Sequence, residues 1–170
     1  MKSLTRSAAS LLLLALCLPS LAGASSAPAT HEFRLDNGLK LIVREDHRAP
    51  VVVSQLWYKV GSSYETPGKT GLSHALEHMM FKGSAKLGPG ESSRVLRELG
   101  AEENAFTSDD YTAYYQVLAS DRLSVAFELE ADRLASLRLP PEEFKREIEV
   151  IKEERRLRPE DNPSATAYER

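Results

Sequence analysis

The segment His74-Ala75-Leu76-Glu77-His78 carries the residue types that a hydrolytic metal site needs. On a helix, His74 and His78 would lie one turn apart and about 40° apart around the axis, so both imidazoles could bind one Zn²⁺ ion. Glu77 would project from nearly the same face and could take a proton from a metal-activated water molecule. The alternative is an ordinary helix whose histidines are surface or core residues.

A catalytic zinc site also needs a third protein ligand and one position open to water. His31 and His47, in or beside the predicted hairpin, are two candidates. The acidic candidates are Glu147, Glu149, Glu153 and Glu154. Glu147 and Glu154 are seven residues apart, so one could bind the metal while the other orients a ligand. Spacing alone favours a solvated helix with internal ion pairs, which leaves the third ligand open.

The elements that must position these residues follow both β and α patterns. Strands are predicted at 33–35 and 39–43, joined by a type I′ turn at Asn37-Gly38, then at 51–60, where the strand is buried, and at 104–107 and 111–118. Helices are predicted at 70–81, 91–99, 120–137, from Pro140-Pro141 to Arg156, and from 165 onward. Ser120 is predicted to cap the third helix, whose apolar face would consist of Leu123, Ala126, Phe127, Ala131 and Leu134. This order predicts an α+β fold, with helices packed on a largely antiparallel sheet, in a chain truncated before its domain ends.

The N-terminal residues predict export. Lys2 and Arg6 precede an apolar segment, 11–18, that is too short to span a bilayer, and small residues follow up to Ala24. A membrane anchor is the alternative. The predicted organisation is a signal peptide at 1–24, a linker at 25–30 and the N-terminal part of a catalytic domain at 31–170. We therefore expect a periplasmic or secreted bacterial protein with no stable membrane span after cleavage.

Composition narrows the class of function. The formal net charge of −3 gives no support for nucleic-acid binding, which usually requires a basic face. The 42% of hydrophobic residues suffices for one core. Cys17 is the single cysteine and would leave with the signal peptide, while Leu16 before it does not fit a lipobox. The mature chain then has 20 basic and 25 acidic residues, and neither disulfides nor thiolate ligands.

The residues around the histidine motif resemble the pitrilysin/insulinase family of zinc metallopeptidases, also called inverzincins. The similarity is strongest to bacterial members related to the mitochondrial processing peptidase β subunit. It is carried by residues 71–84, LDNGLKLIV at 35–43, VVVSQLWYKVGS at 51–62, the segment 103–107, and 144–163. Two small departures, Ser73 and Ser84, stand where alanine and threonine are commoner in the family.

The resemblance implies a site and a fold. The fold is the α+β metalloenzyme fold of the mitochondrial processing peptidase/LuxS type. One Zn²⁺ per chain is held by His74, His78 and Glu154, with Glu77 as the catalytic base and Glu147 as a supporting glutamate. A peptide substrate adds as a β-strand along Asn104, Ala105 and Phe106. A second homologous domain or subunit is the expected partner.

The function that the resemblance implies is zinc-dependent endopeptidase activity on peptides or small unfolded proteins. The alternative is a non-catalytic partner subunit of a two-subunit peptidase, because some family members have lost the motif. A third possibility is a small-molecule metalloenzyme of related fold that uses a cysteine as its third ligand. The absence of cysteine from the mature chain argues against this third possibility.

Overall fold

The computed structural model describes residues 29–160, in which strands and helices follow one another in the predicted order. The strands are β1 Thr30–Arg34, β2 Lys40–Arg44, β3 Val51–Tyr58, β4 Glu102–Thr107 and β5 Thr112–Ala119. The helices are α1 Leu72–Met79, α2 Glu91–Glu98, α3 Leu123–Ser136 and α4 Pro141–Glu160, with 3₁₀ turns at Ser62–Tyr64 and Ser120–Arg122. The predicted signal peptide, the linker up to residue 28 and the helix predicted from 165 lie outside the described residues.

The described residues form two compact units, one ending at His47 and one beginning at Arg48. The first contains the predicted hairpin, in which β1 and β2 pair antiparallel. The second contains a three-stranded antiparallel sheet in the order β3-β5-β4, together with the four helices. In the described part of the chain, no helix is both long enough and apolar enough to cross a membrane.

The hairpin turn differs from the predicted type I′ turn. The N–H of Gly38 donates to the carbonyl of Leu35 at 2.8 Å, which makes Asp36 and Asn37 the central residues. Gly38 follows them with a φ of 87°. A turn followed by one left-handed residue is the usual three-residue hairpin connection. The prediction was wrong because the glycine stands after the turn, and not within it.

The sheet positions the site through its central strand, β5. Strand β3 pairs with β5 from Val51↔Ala119 to Tyr58↔Thr112, and β4 pairs with the other side of β5, which leaves β4 at an edge. The prediction that β3 is buried was wrong, since its side chains alternate and Trp57 is 51% exposed. A period of two places every second side chain of β3 on the face away from the helices.

Helix α3 packs on β3 and β5, but not through the apolar face that the sequence predicts. Ala126 is buried as expected, whereas Phe127 is 53% exposed, and the charged Glu130 and Arg133 are buried instead. The Arg133 guanidinium lies over the Phe81 ring and also pairs with Glu130, so its charge is compensated. The predicted cap at Ser120 is also absent, because that residue lies in a 3₁₀ turn without a capping side-chain bond.

Candidate metal centre

Helix α1 carries the histidine motif, and a carboxylate from outside the helix holds its N-terminus. Gly71, at the cap position, has a φ of 91° and no side chain to bond the free N–H groups of the first turn. Glu65 supplies that bond, with its two oxygens each 2.7 Å from the N–H groups of Gly71 and Ser73. Burial raises the pKa of Glu65, but the backbone hydrogen bonds outweigh it and hold the pKa below its usual range. The start of the helix is therefore fixed by an anion.

Three ligand atoms of the predicted metal site lie together in the structure. The Nε2 atoms of His74 and His78 are 3.0 Å apart, and Oε2 of Glu154 lies 3.4 Å from the first and 3.7 Å from the second. A tetrahedral zinc ion with ligands at about 2.0–2.1 Å needs donor atoms separated by roughly 3.3 Å. Two imidazole nitrogens and one carboxylate oxygen at these distances fit zinc and leave a fourth position open.

The other candidates for the third ligand lie in different surroundings. Both His31 and His47 are close to Glu45 in the first unit. In α4, Glu149 and Glu153 form exposed ion pairs with lysine and arginine one turn further along the helix. Among the described residues, the group of three side chains that could hold a metal ion consists of His74, His78 and Glu154.

Glu147 contacts the ring nitrogen of His78 that faces away from the ligand triangle formed by Nε2 of His74, Nε2 of His78 and Oε2 of Glu154. Its Oε1 accepts the hydrogen bond of Nδ1 of His78 at 2.9 Å, and its Oε2 lies 2.5 Å from Nζ of Lys82. Burial raises the pKa of Glu147, but the hydrogen bonds from Lys82 and His78 outweigh it and hold the pKa below its usual range. A proton on Nδ1 leaves Nε2 of His78 free to bind a cation.

Glu77, the predicted base, is anchored by the sheet. The hydroxyl of Thr107, the last residue of β4, donates to Oε2 of Glu77 at 2.5 Å. Sequence reasoning missed Thr107 as it missed Lys82 and Glu65. The signals for them were weak: Thr107 ends a segment that carries the resemblance, and Lys82 lies four residues after His78.

The predicted peptide-binding residues Asn104, Ala105 and Phe106 all lie in edge strand β4, against which α1 packs. The N–H of Ala105 is bonded to Oδ1 of Asn104 at 2.9 Å. The N–H of Ser108 donates to the carbonyl of Tyr111 at 2.8 Å, which makes this a hydrogen-bonded pair. Because such pairs alternate along the register, Ala105 and Tyr114 are a non-bonded pair, and the N–H of Ala105 faces the open edge and not β5. The side chain of Phe106 is on the other face of the sheet from Thr107, in ring contact with Trp57.

The chain is similar to known proteins of one family. The family model for insulinase (peptidase family M16) matches residues 40–170. The chain belongs to this family. It is 37% identical over 145 residues to the zinc protease PqqE of Helicobacter pylori, with 85% of this chain and 33% of the relative covered. It is 36% identical over 126 residues to the mitochondrial-processing peptidase subunit beta of Bos taurus, with 74% of this chain and 26% of the relative covered.

Among solved structures, a protease from Helicobacter pylori has a TM-score of 0.78 at 35% identity, covering 83% of this chain and 34% of the other. The predicted resemblance and the α+β fold class are confirmed. The chain spans about a third of the length of these first relatives.

Proposed function

We propose that this chain provides the catalytic metal site of a zinc-dependent endopeptidase that hydrolyses peptides or small unfolded proteins. The observation that carries the proposal is the meeting of the donor atoms of His74, His78 and Glu154 within 4.8 Å of one another. Membership of a peptidase family and similarity to a protein named as a zinc protease support the same reaction class.

The proposed reaction adds water across a peptide bond. A zinc ion in this site supplies Lewis acidity, which lowers the pKa of water and polarises the scissile carbonyl. Glu77 accepts a proton from the attacking water as the water oxygen bonds to the carbonyl carbon. Glu77 then passes that proton to the leaving amine nitrogen as the C–N bond breaks. Glu147 orients His78, and the edge of β4 binds the peptide as an added strand.

The proposed partners are a peptide substrate and a second homologous domain or subunit. The name of the bovine relative, which is a subunit beta, supports the second partner. We also propose that the protein is exported to the periplasm or beyond. The N-terminal sequence pattern supports export, and a mature N-terminus at Ser25 in protein recovered from the periplasm or medium would test it.

Substitution of Glu77 by Gln in the full-length protein tests the catalytic proposal. The variant should bind zinc as tightly as the wild type, because Glu77 is not a ligand, but should lose hydrolysis of a fluorogenic peptide. Metal content by mass spectrometry and cleavage rate are measured on the same samples. Unchanged cleavage would disprove the mechanism, and a wild type without bound zinc would favour the alternative of a non-catalytic partner subunit.

A further inference from the structure

We propose that Thr107 is a positioning residue that couples the peptide-binding strand to the catalytic base. The inference rests on the proposed peptidase function and concerns how Glu77 is held. The bond from the Thr107 hydroxyl to Oε2 of Glu77 is 2.5 Å long, at the short end for a hydroxyl donating to a carboxylate. Rotation about the last torsion of a glutamate side chain is weakly restricted. A hydrogen bond to one of its oxygens therefore determines where the carboxylate points.

The Thr107 hydroxyl is itself fixed by the sheet. Thr107 and Thr112 are direct cross-strand partners of β4 and β5, and their hydroxyl oxygens are 3.2 Å apart. This is a packing contact, because each hydroxyl donates its single proton to another oxygen. Thr112 is 5% exposed, and its hydroxyl donates to the carbonyl of Val60 at 2.9 Å. A β-branched side chain also has few χ1 rotamers available in a strand. The donor to Glu77 is therefore placed by β4 and β5 before any substrate binds.

The same strand offers its open edge to the peptide. Ala105, whose N–H faces that edge, is two residues from Thr107, which is about 6.6 Å along an extended strand. A peptide paired with Ala105 is thereby held in register with the hydroxyl that orients Glu77. One rigid element thus sets the position of both the substrate backbone and the base, which is what near-attack geometry requires.

The test compares Thr107→Val and Thr107→Ser in the full-length, zinc-loaded protein. Valine keeps the shape of the side chain but removes the hydroxyl. We therefore expect kcat to fall about 10- to 100-fold, as when a residue that orients an active-site side chain is removed, and KM to stay within about twofold of the wild-type value. Zinc content and melting temperature should stay near the wild-type values. Thr107→Ser keeps the hydroxyl and should retain most of the wild-type kcat. The matched control is Thr66→Val, which makes the same substitution at an exposed loop residue.

A double variant isolates the route through the base. In the Glu77→Gln background, adding Thr107→Val should change neither the residual rate nor the affinity for the peptide. A Thr107→Val protein with full kcat, a loss of kcat that serine fails to rescue, or a further loss in the Glu77→Gln background would each overturn the inference. A zinc-bound wild type that cleaves no peptide would instead refute the proposed function.

Discussion

The ammonium nitrogen of Lys82 lies 2.5 Å from one oxygen of Glu147, whose other oxygen is bonded to His78. A cation from the turn after α1 thus holds a carboxylate of α4 against a histidine of α1. This carboxylate is 12% exposed and would lose a hydrogen-bond donor and its counter-charge if Lys82 were removed. The orientation of His78 therefore depends on a lysine that has no direct contact with the metal-binding nitrogen.

Replacing Lys82 by Met should weaken zinc binding about tenfold or more, since outer-shell partners of metal ligands typically contribute that much. Competition with a chromophoric chelator measures the affinity. Lys86→Met is the control, because Lys86 pairs with Glu128 at the surface and should leave the zinc affinity unchanged. Equal affinities for the wild type and Lys82→Met would show that Glu147 holds His78 without help.

Neighbouring residues of α4 allow a sharp test of the third ligand. Glu154→Ala should remove stoichiometric zinc and with it peptide hydrolysis, because two histidines alone leave the site one protein ligand short. Glu153→Ala removes an equal charge from the preceding position, where the side chain pairs with Arg156 at the surface. This control should retain one zinc per chain, and equal loss of zinc in both variants would exclude Glu154 as the specific ligand.

Glu65 should make the stability of the metal-binding region depend on pH. Its pKa is lower in the folded protein than the ordinary value of 4.5, so the unfolded chain binds a proton more readily. The stabilisation is therefore present above about pH 4.5 and is lost as the pH falls through the lower folded pKa. The melting temperature of Glu65→Gln should lie below that of the wild type at pH 7, and the gap should narrow towards pH 3.

The control for the Glu65 series is Glu98→Gln, which changes an exposed carboxylate paired with Arg94. Its melting temperature should stay within about 4 °C of the wild-type value, with no trend across the same pH range, as expected of a surface pair. A Glu65 gap that stays constant with pH would show that packing, and not the charge at the helix N-terminus, supplies the stabilisation.

The buried pair of Glu130 and Arg133 should respond strongly to the loss of one partner. Arg133→Leu leaves the Glu130 carboxylate buried without its cation and should lower the free energy of unfolding by about 3–5 kcal/mol. The double variant with Glu130→Leu should recover much of that loss, since no unpaired charge remains. Urea unfolding measures both, and a double variant as unstable as the sum of the single ones would contradict this view.

The parts of the site that follow from local periodicity could be predicted from sequence. Four-residue spacing places His74 and His78 on one face of α1, and seven-residue spacing places Glu147 and Glu154 on one face of α4. Which acidic residue meets the histidines could not be read from spacing, because it depends on how α1 packs on α4. The family resemblance supplied the expectation, and in the structure Glu154 is the glutamate that completes the group.

Contacts between distant segments account for the rest. Glu65, Lys82 and Thr107 act through hydrogen bonds or ion pairs whose partners are set by tertiary packing. Their residue types are common on any protein surface. The predicted apolar face of α3 failed for a related reason. A buried arginine such as Arg133 is acceptable only where aromatic rings and a carboxylate surround it, and a helical pattern does not reveal those neighbours.

The two elements that hold the ligand triangle are far apart in the chain, since 76 positions separate His78 from Glu154. A zinc ion bound by both would be a removable cross-link that closes a long loop and favours the folded chain over the expanded one. Chelation should therefore release α4 from α1 and increase its cleavage by trypsin, which offers a reading of metal occupancy independent of any substrate.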